Sequence, residues 1–297
     1  MRIARRPTVV TGCTLSLLLC LLPLLVVWAA DVALPHGDSS AQERQAELTV
    51  LTDAEQVMRD HYEAFPYPSA DLSVYEEVRG ASLDEINHWL FGGARDFARA
   101  GIRVLNAGGG TGQATCLIAR ELAARNVPGG LIVHVDLSLA SIRVARERCR
   151  RMGAGVLERV HFAQGSLLHL GTGKLAPAMP GGVLAFDFIL CTGVLHHLSS
   201  PRDGLLALNA ALAPGGGILV MVYGKYGRTG VYELQDALRL VAPAAESKAG
   251  RVRTTREIVA ALPDTNWLKT NLKSHDARKA KLADVFAEEV RTRVTLR

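Results

Sequence analysis

Between Arg103 and Gln113 the chain reads Arg-Val-Leu-Asn-Ala-Gly-Gly-Gly-Thr-Gly-Gln, and this stretch limits more than any other what the whole can become. Val104 and Leu105 enter the glycine cluster, and Ala114, Leu117, Ile118 and Leu122 leave it at three- and four-residue spacing. That pattern predicts a strand, a tight turn and a helix. Gly108, Gly110 and Gly112 give the turn access to positive φ and leave the main chain open to close approach by a ligand. The N–H groups that begin the helix favour polar or anionic groups such as a carboxylate or phosphate, although an ordinary strand-to-helix turn uses the same residues. The dinucleotide fingerprint Gly-x-Gly-x-x-Gly is incomplete: counted from Gly108, its last glycine falls on Gln113.

Downstream the pattern alternates. Leu131 to Val135 is a short apolar strand ending at Asp136, and Ser138 caps a helix with Ile142, Ala145 and Cys149 on one side and Arg143, Arg146, Arg150 and Arg151 largely on others. Asp136 stands at a strand's carboxyl end, where it either accepts hydrogen bonds from a ribose or serves as a helix cap. Val160 to Ala163 is a third strand, closed by Gln164-Gly165-Ser166; Phe186 to Cys191 is a fourth, followed by Thr192-Gly193-Val194-Leu195-His196-His197. Ser200-Pro201 opens a helix with Leu205, Leu206, Leu208 and Leu212, stopped by Pro214-Gly215-Gly216-Gly217, and Ile218 to Tyr223 is a fifth strand. Five strands separated by helices predict an α/β fold with a doubly wound, mostly parallel sheet and helices on both faces.

Before this unit, Thr8 to Ala30 runs 23 residues without a charge behind Arg2, Arg5 and Arg6. As a helix it would reach about 34 Å, enough for a bilayer core of roughly 30 Å. Residues 1–30 are thus expected to be a signal peptide or membrane anchor, with membrane association through residues 8–30. That expectation points to an anchored or organelle-targeted protein, the alternatives being a buried helix or a cytoplasmic protein whose start lies further on. Residues 31–50 read as a linker and 51–100 as an N-terminal helical extension. The extension opens on a capping box, Thr52-Asp53-Ala54-Glu55, with a second at Ser82-Leu83-Asp84-Glu85 before Ile86, Trp89, Leu90 and Phe91. Between them Tyr62, Phe65 and Tyr67 crowd a proline-stiffened path, either packing the segment down or walling a substrate pocket. Residues 101–225 form the ligand-binding unit. Residues 226–297 read as helical over 230–241, 254–262 and 277–290, with one hint of a strand at 293–296.

Composition narrows the class. With 297 residues and 48% apolar content the chain can bury a large core. Its cysteines at 13, 20, 116, 149 and 191 include no Cys-x-x-Cys pair, so neither a disulfide framework nor a zinc site is expected, and the part beyond the apolar run reads as an enzyme of a reducing compartment. The net charge of +5 is concentrated toward the end, with 15 Lys/Arg against 9 Asp/Glu between 224 and 297. No basic run interleaved with aromatics accompanies it, so a solvated basic face is expected and nucleic acid is not.

Taken in order, five pieces between Val104 and Tyr223 resemble the class I S-adenosylmethionine-dependent methyltransferases. They are Val-Leu-Asn-Ala-Gly-Gly-Gly-Thr-Gly, the Asp136 strand end, Gln-Gly-Ser, Phe-Asp-Phe-Ile-Leu-Cys-Thr-Gly-Val-Leu-His-His-Leu and Leu-Ala-Pro-Gly-Gly-Gly. The stretch from Tyr62 to Pro68 also resembles an N-terminal segment of some bacterial-type members. The resemblance implies a Rossmann-like methyltransferase fold, S-adenosyl-L-methionine as cofactor and a small-molecule acceptor. It places Asn106, Ala107, Gly108, Gly110 and Gly112 along the methionine part, Asp136 and Leu137 at the ribose, Ser166 and Leu167 at the adenine, and Cys191, Thr192 and Gly193 near the sulfonium. Asn106 and Ser166 depart from the acidic residues common at those positions, and both still offer hydrogen bonds.

Methyl transfer from a sulfonium asks for alignment and exclusion of water, and for a base only when the acceptor is protonated. His196 and His197 are the candidates, or else they cap and pack the loop. Tyr62, Phe65 and Tyr67 are the candidates for the acceptor side. An aminopropyl transfer would need acidic residues after the fourth strand, where this chain has Cys191, Thr192 and two histidines. Gln113 disfavours a nicotinamide enzyme, and a non-catalytic cofactor-binding scaffold is the remaining alternative.

Overall fold

The computed structural model describes residues 25–28, 51–67, 78, 80–172, 174–175, 179–180, 185–224, 226, 230–241 and 248–266. The glycine-loop strand, β2 (Arg103–Ala107), sits inside a six-stranded sheet of order β1-β6-β5-β2-β3-β4. Its companions are β1 (Leu25–Trp28), β3 (Leu131–Asp136), β4 (Val160–Gln164), β5 (Phe186–Thr192) and β6 (Leu212–Met221). Strands β2 to β6 pair in parallel, with Leu105 opposite Val133 and Ile189, and Ile189 opposite Ile218.

Strand alternation sends neighbouring residues to opposite faces, and here both faces are covered. Val104, Ile132, Phe188 and Leu190 pack with Ile118 and Leu122 of α4 (Gln113–Ala124), Cys149 of α5 (Leu139–Met152) and Leu83, Ile86 and Leu90 of α2 (Leu83–Phe91). Leu105, Val133, Ile189 and Cys191 join Leu167, Leu170 and Leu208 on the other side, where α7 (Pro201–Ala210) lies. Each fully buried leucine or isoleucine contributes about 1.5–3 kcal/mol relative to exposure.

Ser138 caps α5 and Ser200 caps α7 with Pro201 in its first turn. The N-terminal helix α1 (Asp53–Ala64) forms its complete capping box between Thr52 and Glu55. The second box forms by half. Ser82 accepts from Glu85 N, but the Glu85 carboxylate accepts from Gly80 N at 2.9 Å and so is not turned back to its own cap. Strand β6 also begins earlier than expected, at Leu212, because α7 ends at Ala210 and Pro214 to Gly217 continue as strand. A Cβ on Gly216 would lie 2.8 Å from Asp187 O, so close approach of two backbones, not helix termination, is what uses this glycine.

Two expectations are corrected. Leu25–Trp28 lies within the apolar run expected to be helical, yet it is a strand paired antiparallel with β6, Val27 opposite Ile218; β-branched residues beside an otherwise unpaired edge satisfy the backbone of both. The rest of 1–30 and the proposed linker at 31–50 lie outside the described residues, and among those described no helix is long and apolar enough to cross a membrane. Cys116 and Cys149, expected to be unpaired, form a disulfide between α4 and α5 with Cα atoms 5.1 Å apart. Their spacing of 33 residues carries no signal, because it is the side-by-side packing of two helices that brings them together.

The remaining helices are short α3 (Phe97–Ala100) and α6 (Ala154–Leu157), then α8 (Val231–Val241) and α9 (Lys248–Ala261). Leu234 and Leu238 of α8 pack with Ile258, Val259 and Leu262 in a cluster separate from the main core. The helix expected at 277–290 and the strand at 293–296 lie outside the described residues.

Candidate functional site

The carboxyl ends of β2, β3 and β4 lie side by side, and the loops leaving them, with the loop after β5, line a cavity of about 370 Å³ closed by α1. This volume falls within the range of small-molecule sites.

The glycine loop crosses this row of strand ends. Gly108 has φ 72° and a side chain there would run into Val194; Gly112 has φ 80°, and its Cβ would lie 2.9 Å from Ala145 Cα. Both positions therefore need glycine. The N–H groups of the loop itself are taken up within the protein. Gly108 N and Gly109 N donate to Val135 O, Gly110 N to Asp136 Oδ2, Thr111 N to Tyr67 O and Gly112 N to Gly109 O. What Gly108 to Gly110 offer a ligand is main chain bare of side chains, just before the start of α4. Arg148, fully buried on α5 and not anticipated from its spacing, braces the loop by donating to Thr111 O at 3.0 Å.

Beneath the loop Asn106 Nδ2 donates to Thr115 Oγ1 at 2.8 Å, and that hydroxyl lies 2.9 Å from His134 Nδ1. Burial pushes the imidazole down to about 3, against the raising effect of a Gly110 backbone bond, so it is neutral.

Asp136 faces the cavity from the end of β3. Its Oδ2 accepts from Gly110 N at 2.8 Å and its Oδ1 from Ser138 N at 2.9 Å, and the Leu137 N–H also bonds the carboxylate, which leaves about one further accepting position. Burial raises its carboxyl above the ordinary value; the Ser138 and Gly110 N–H groups oppose this, and the nearby Glu63 adds repulsion. Glu63, near the end of α1, accepts from Leu139 N at 2.5 Å and Ala140 N at 3.1 Å, clamping α1 onto the start of α5. Eight residues earlier Glu55 accepts the Ser166 hydroxyl proton at the end of β4.

After β5 the chain turns through Thr192, Gly193 and Val194, all on the cavity wall. Cys191 is fully buried in the core, where burial pushes its thiol up to about 12, and does not reach the cavity. The two histidines part company. His197 lines the cavity with Nε2 3.4 Å from the Tyr62 hydroxyl, whereas His196 is buried behind it, its ring 3.8 Å from that of Tyr223 and 4.2 Å from that of His197.

Of the residues anticipated, Asn106, Gly108, Gly110, Asp136, Leu137, Ser166, Leu167, Thr192, Gly193, His197, Tyr62, Phe65 and Tyr67 meet on the wall. Ala107 and Cys191 face the core and Gly112 packs on α5, so these three do not line it, nor does His196. Alternation along the strands turns the side chains of Ala107 and Cys191 into the core. Reading the sequence missed Glu55, Met58, His61, Gln113, Met221 and Tyr223; Glu55 had shown itself only as a helix cap.

The lining has two carboxylates, two histidines and no Lys or Arg among the described residues. Phosphate-bearing ligands have no counter-charge there, while a hydroxyl-rich ligand carrying positive charge does. A sulfonium-bearing nucleoside fits this donor and acceptor set.

Residues 105–218 match the family model described as "Methyltransferase domain". An uncharacterized protein of Synechococcus sp. is 36% identical over 187 residues, which is 63% of this chain and 41% of that protein, so the chain spans about two fifths of this relative's length. The ubiquinone/menaquinone biosynthesis C-methyltransferase UbiE of Pectobacterium atrosepticum is 26% identical over 240 residues, covering 78% of this chain and 88% of that protein. Among solved structures, an S-adenosyl-L-homocysteine complex of a methyltransferase from Geobacter sulfurreducens aligns over 79% of this chain and 88% of that one, at 18% identity and a TM-score of 0.36.

Proposed function

From a chain whose residues 105–218 belong to the class I S-adenosylmethionine-dependent methyltransferases, we propose that the whole protein methylates a small, ring-bearing acceptor activated by His197. The observation that carries this reading is that one cavity is lined both by a polar set, Asp136, the glycine loop and the Ser166–Glu55 pair, and by an aromatic set with a titratable group, Tyr62, Phe65, Tyr67, His197 and Tyr223; Thr192 and Gly193 line it as well.

When bound, the cofactor supplies an electrophilic methyl group and a thioether leaving group. Asp136 would hold the ribose hydroxyls, with Leu137 and Leu167 against the nucleoside and the bare backbone of Gly108 and Gly110 along its amino-acid part. His197 takes the acceptor's proton, Tyr62 orients its imidazole, and α1 excludes water, held by Glu63 on α5 and Glu55 on Ser166. The Pectobacterium relative is named as a C-methyltransferase of quinone biosynthesis. A phenolic acceptor, deprotonated so that a ring carbon or the oxygen becomes nucleophilic, suits the aromatic lining here. An aminopropyl acceptor is disfavoured, since Thr192, Gly193 and Val194 provide no carboxylate for a polyamine. Incubation with S-adenosylmethionine and a panel of phenolic and amine acceptors, followed by mass spectrometry of S-adenosylhomocysteine, tests the reading. Binding without turnover on any acceptor would favour a scaffold.

The apolar run ahead of β1 motivates a second proposal, that residues 8–24 draw the protein to a membrane. Identical soluble distributions of reporter fusions with and without residues 1–24 would reject it.

A further inference from the structure

We propose that Glu55 of α1, docked on Ser166, reads the nucleobase and admits only one that presents an amino donor. The inference rests on the nucleoside reading of the cavity given above. Because β2, β3 and β4 end side by side, a nucleoside whose sugar engages Asp136 on the middle strand directs its base away from the glycine loop, toward the end of β4. There Ser166 cannot donate to it. Its single hydroxyl proton goes to Glu55 Oε1, and it accepts from Leu168 N at 3.1 Å.

The acceptor that remains is Glu55. Its Oε2 already takes Thr52 N and Thr52 Oγ1, each at 2.9 Å, and its Oε1 takes Ser166. Of about four lone-pair positions on a carboxylate, one is left, on Oε1. The residue is 5% exposed and lines the cavity, with Met58, Leu167 and Leu168 supplying apolar walls nearby. Burial works against its charge, but the Ser166 and Thr52 hydrogen bonds and the field of His169 hold the carboxyl below its ordinary value. A buried, acceptor-only group with an open position is stabilised by an N–H and destabilised by a carbonyl oxygen. The capping box that begins α1 therefore also sets base specificity, so that closure of the helix and recognition of the base are one event.

Titration calorimetry with S-adenosylhomocysteine and with its 6-oxo, inosine-containing analogue tests this. The wild-type chain is expected to prefer the adenine compound by about tenfold to a hundredfold. Glu55→Gln keeps the capping box, which accepts Gln, but adds an amide that can donate to the 6-oxo group, so the preference should fall to within about threefold. If the wild type binds neither compound, the cofactor reading itself fails. If it binds both equally, or if Glu55→Gln retains the full preference with an unchanged melting temperature, Glu55 is not the reader.

Discussion

The hydroxyl of Tyr62 lies 3.4 Å from Nε2 of His197, across 135 residues of sequence. It is α1, clamped by Glu63 on the start of α5, that brings this tyrosine to the loop after β5. The N-terminal extension thus supplies part of the cavity wall.

His197→Asn is expected to lower methyl transfer by about 10² while leaving S-adenosylhomocysteine affinity within a few-fold of wild type. His196→Asn should do the reverse, lowering thermal stability through lost packing on Tyr223 with a smaller effect on turnover per folded molecule. Single-turnover rates and melting curves of the two variants separate the histidines; equal rates for both variants and wild type would reject a base at His197.

Asp136→Ala should weaken S-adenosylhomocysteine by about tenfold to a hundredfold, the cost of losing charge-assisted bonds of roughly 1.5–3 kcal/mol. Because burial raises this carboxyl, wild-type affinity should begin to fall on acidification above the ordinary aspartate value of 3.8. Calorimetry showing the same affinity from about pH 7 to about pH 4 would contradict the assignment.

His134 gives stability a second pH dependence. Its folded-state value of about 3 against 6.5 means that the unfolded chain takes up a proton the folded chain refuses. Stability present above pH 6.5 is therefore lost as pH falls from 6.5 toward 3. His134→Gln should lower stability at neutral pH and flatten that acid limb in denaturant titrations; an unaltered slope would show that other groups produce it.

Joining α4 to α5 across 33 residues, the Cys116–Cys149 bond is expected to contribute roughly 4 kcal/mol by restricting the unfolded chain. Melting with and without a phosphine reductant measures this. A midpoint unchanged by reduction, with mass analysis confirming free thiols, would show that the bond adds nothing.

The sheet was legible from local pattern. Val104-Leu105, Leu131 to Val135 and Phe186 to Cys191 are apolar on both sides of the pleat, and such runs, separated by capped helices, allow little besides a parallel sheet buried on two faces. The glycine loop and Asp136 were legible for the same reason, since a strand's end and a helix's start are written in adjacent residues. Glu55 was visible only as the partner of Thr52, three residues away, because its second contact, with Ser166, spans 111 residues. Cys116 and Cys149 gave no spacing signal, and His196 and His197, adjacent and chemically identical, could not be told apart until Tyr223 was seen to cover one of them. Dihedral preference, capping and alternation act within a few residues and so can be read along the chain. Which carboxylate meets which hydroxyl, which thiols join and which imidazole faces the cavity depend on how helices dock across the sheet, a packing free energy summed over contacts distant in sequence.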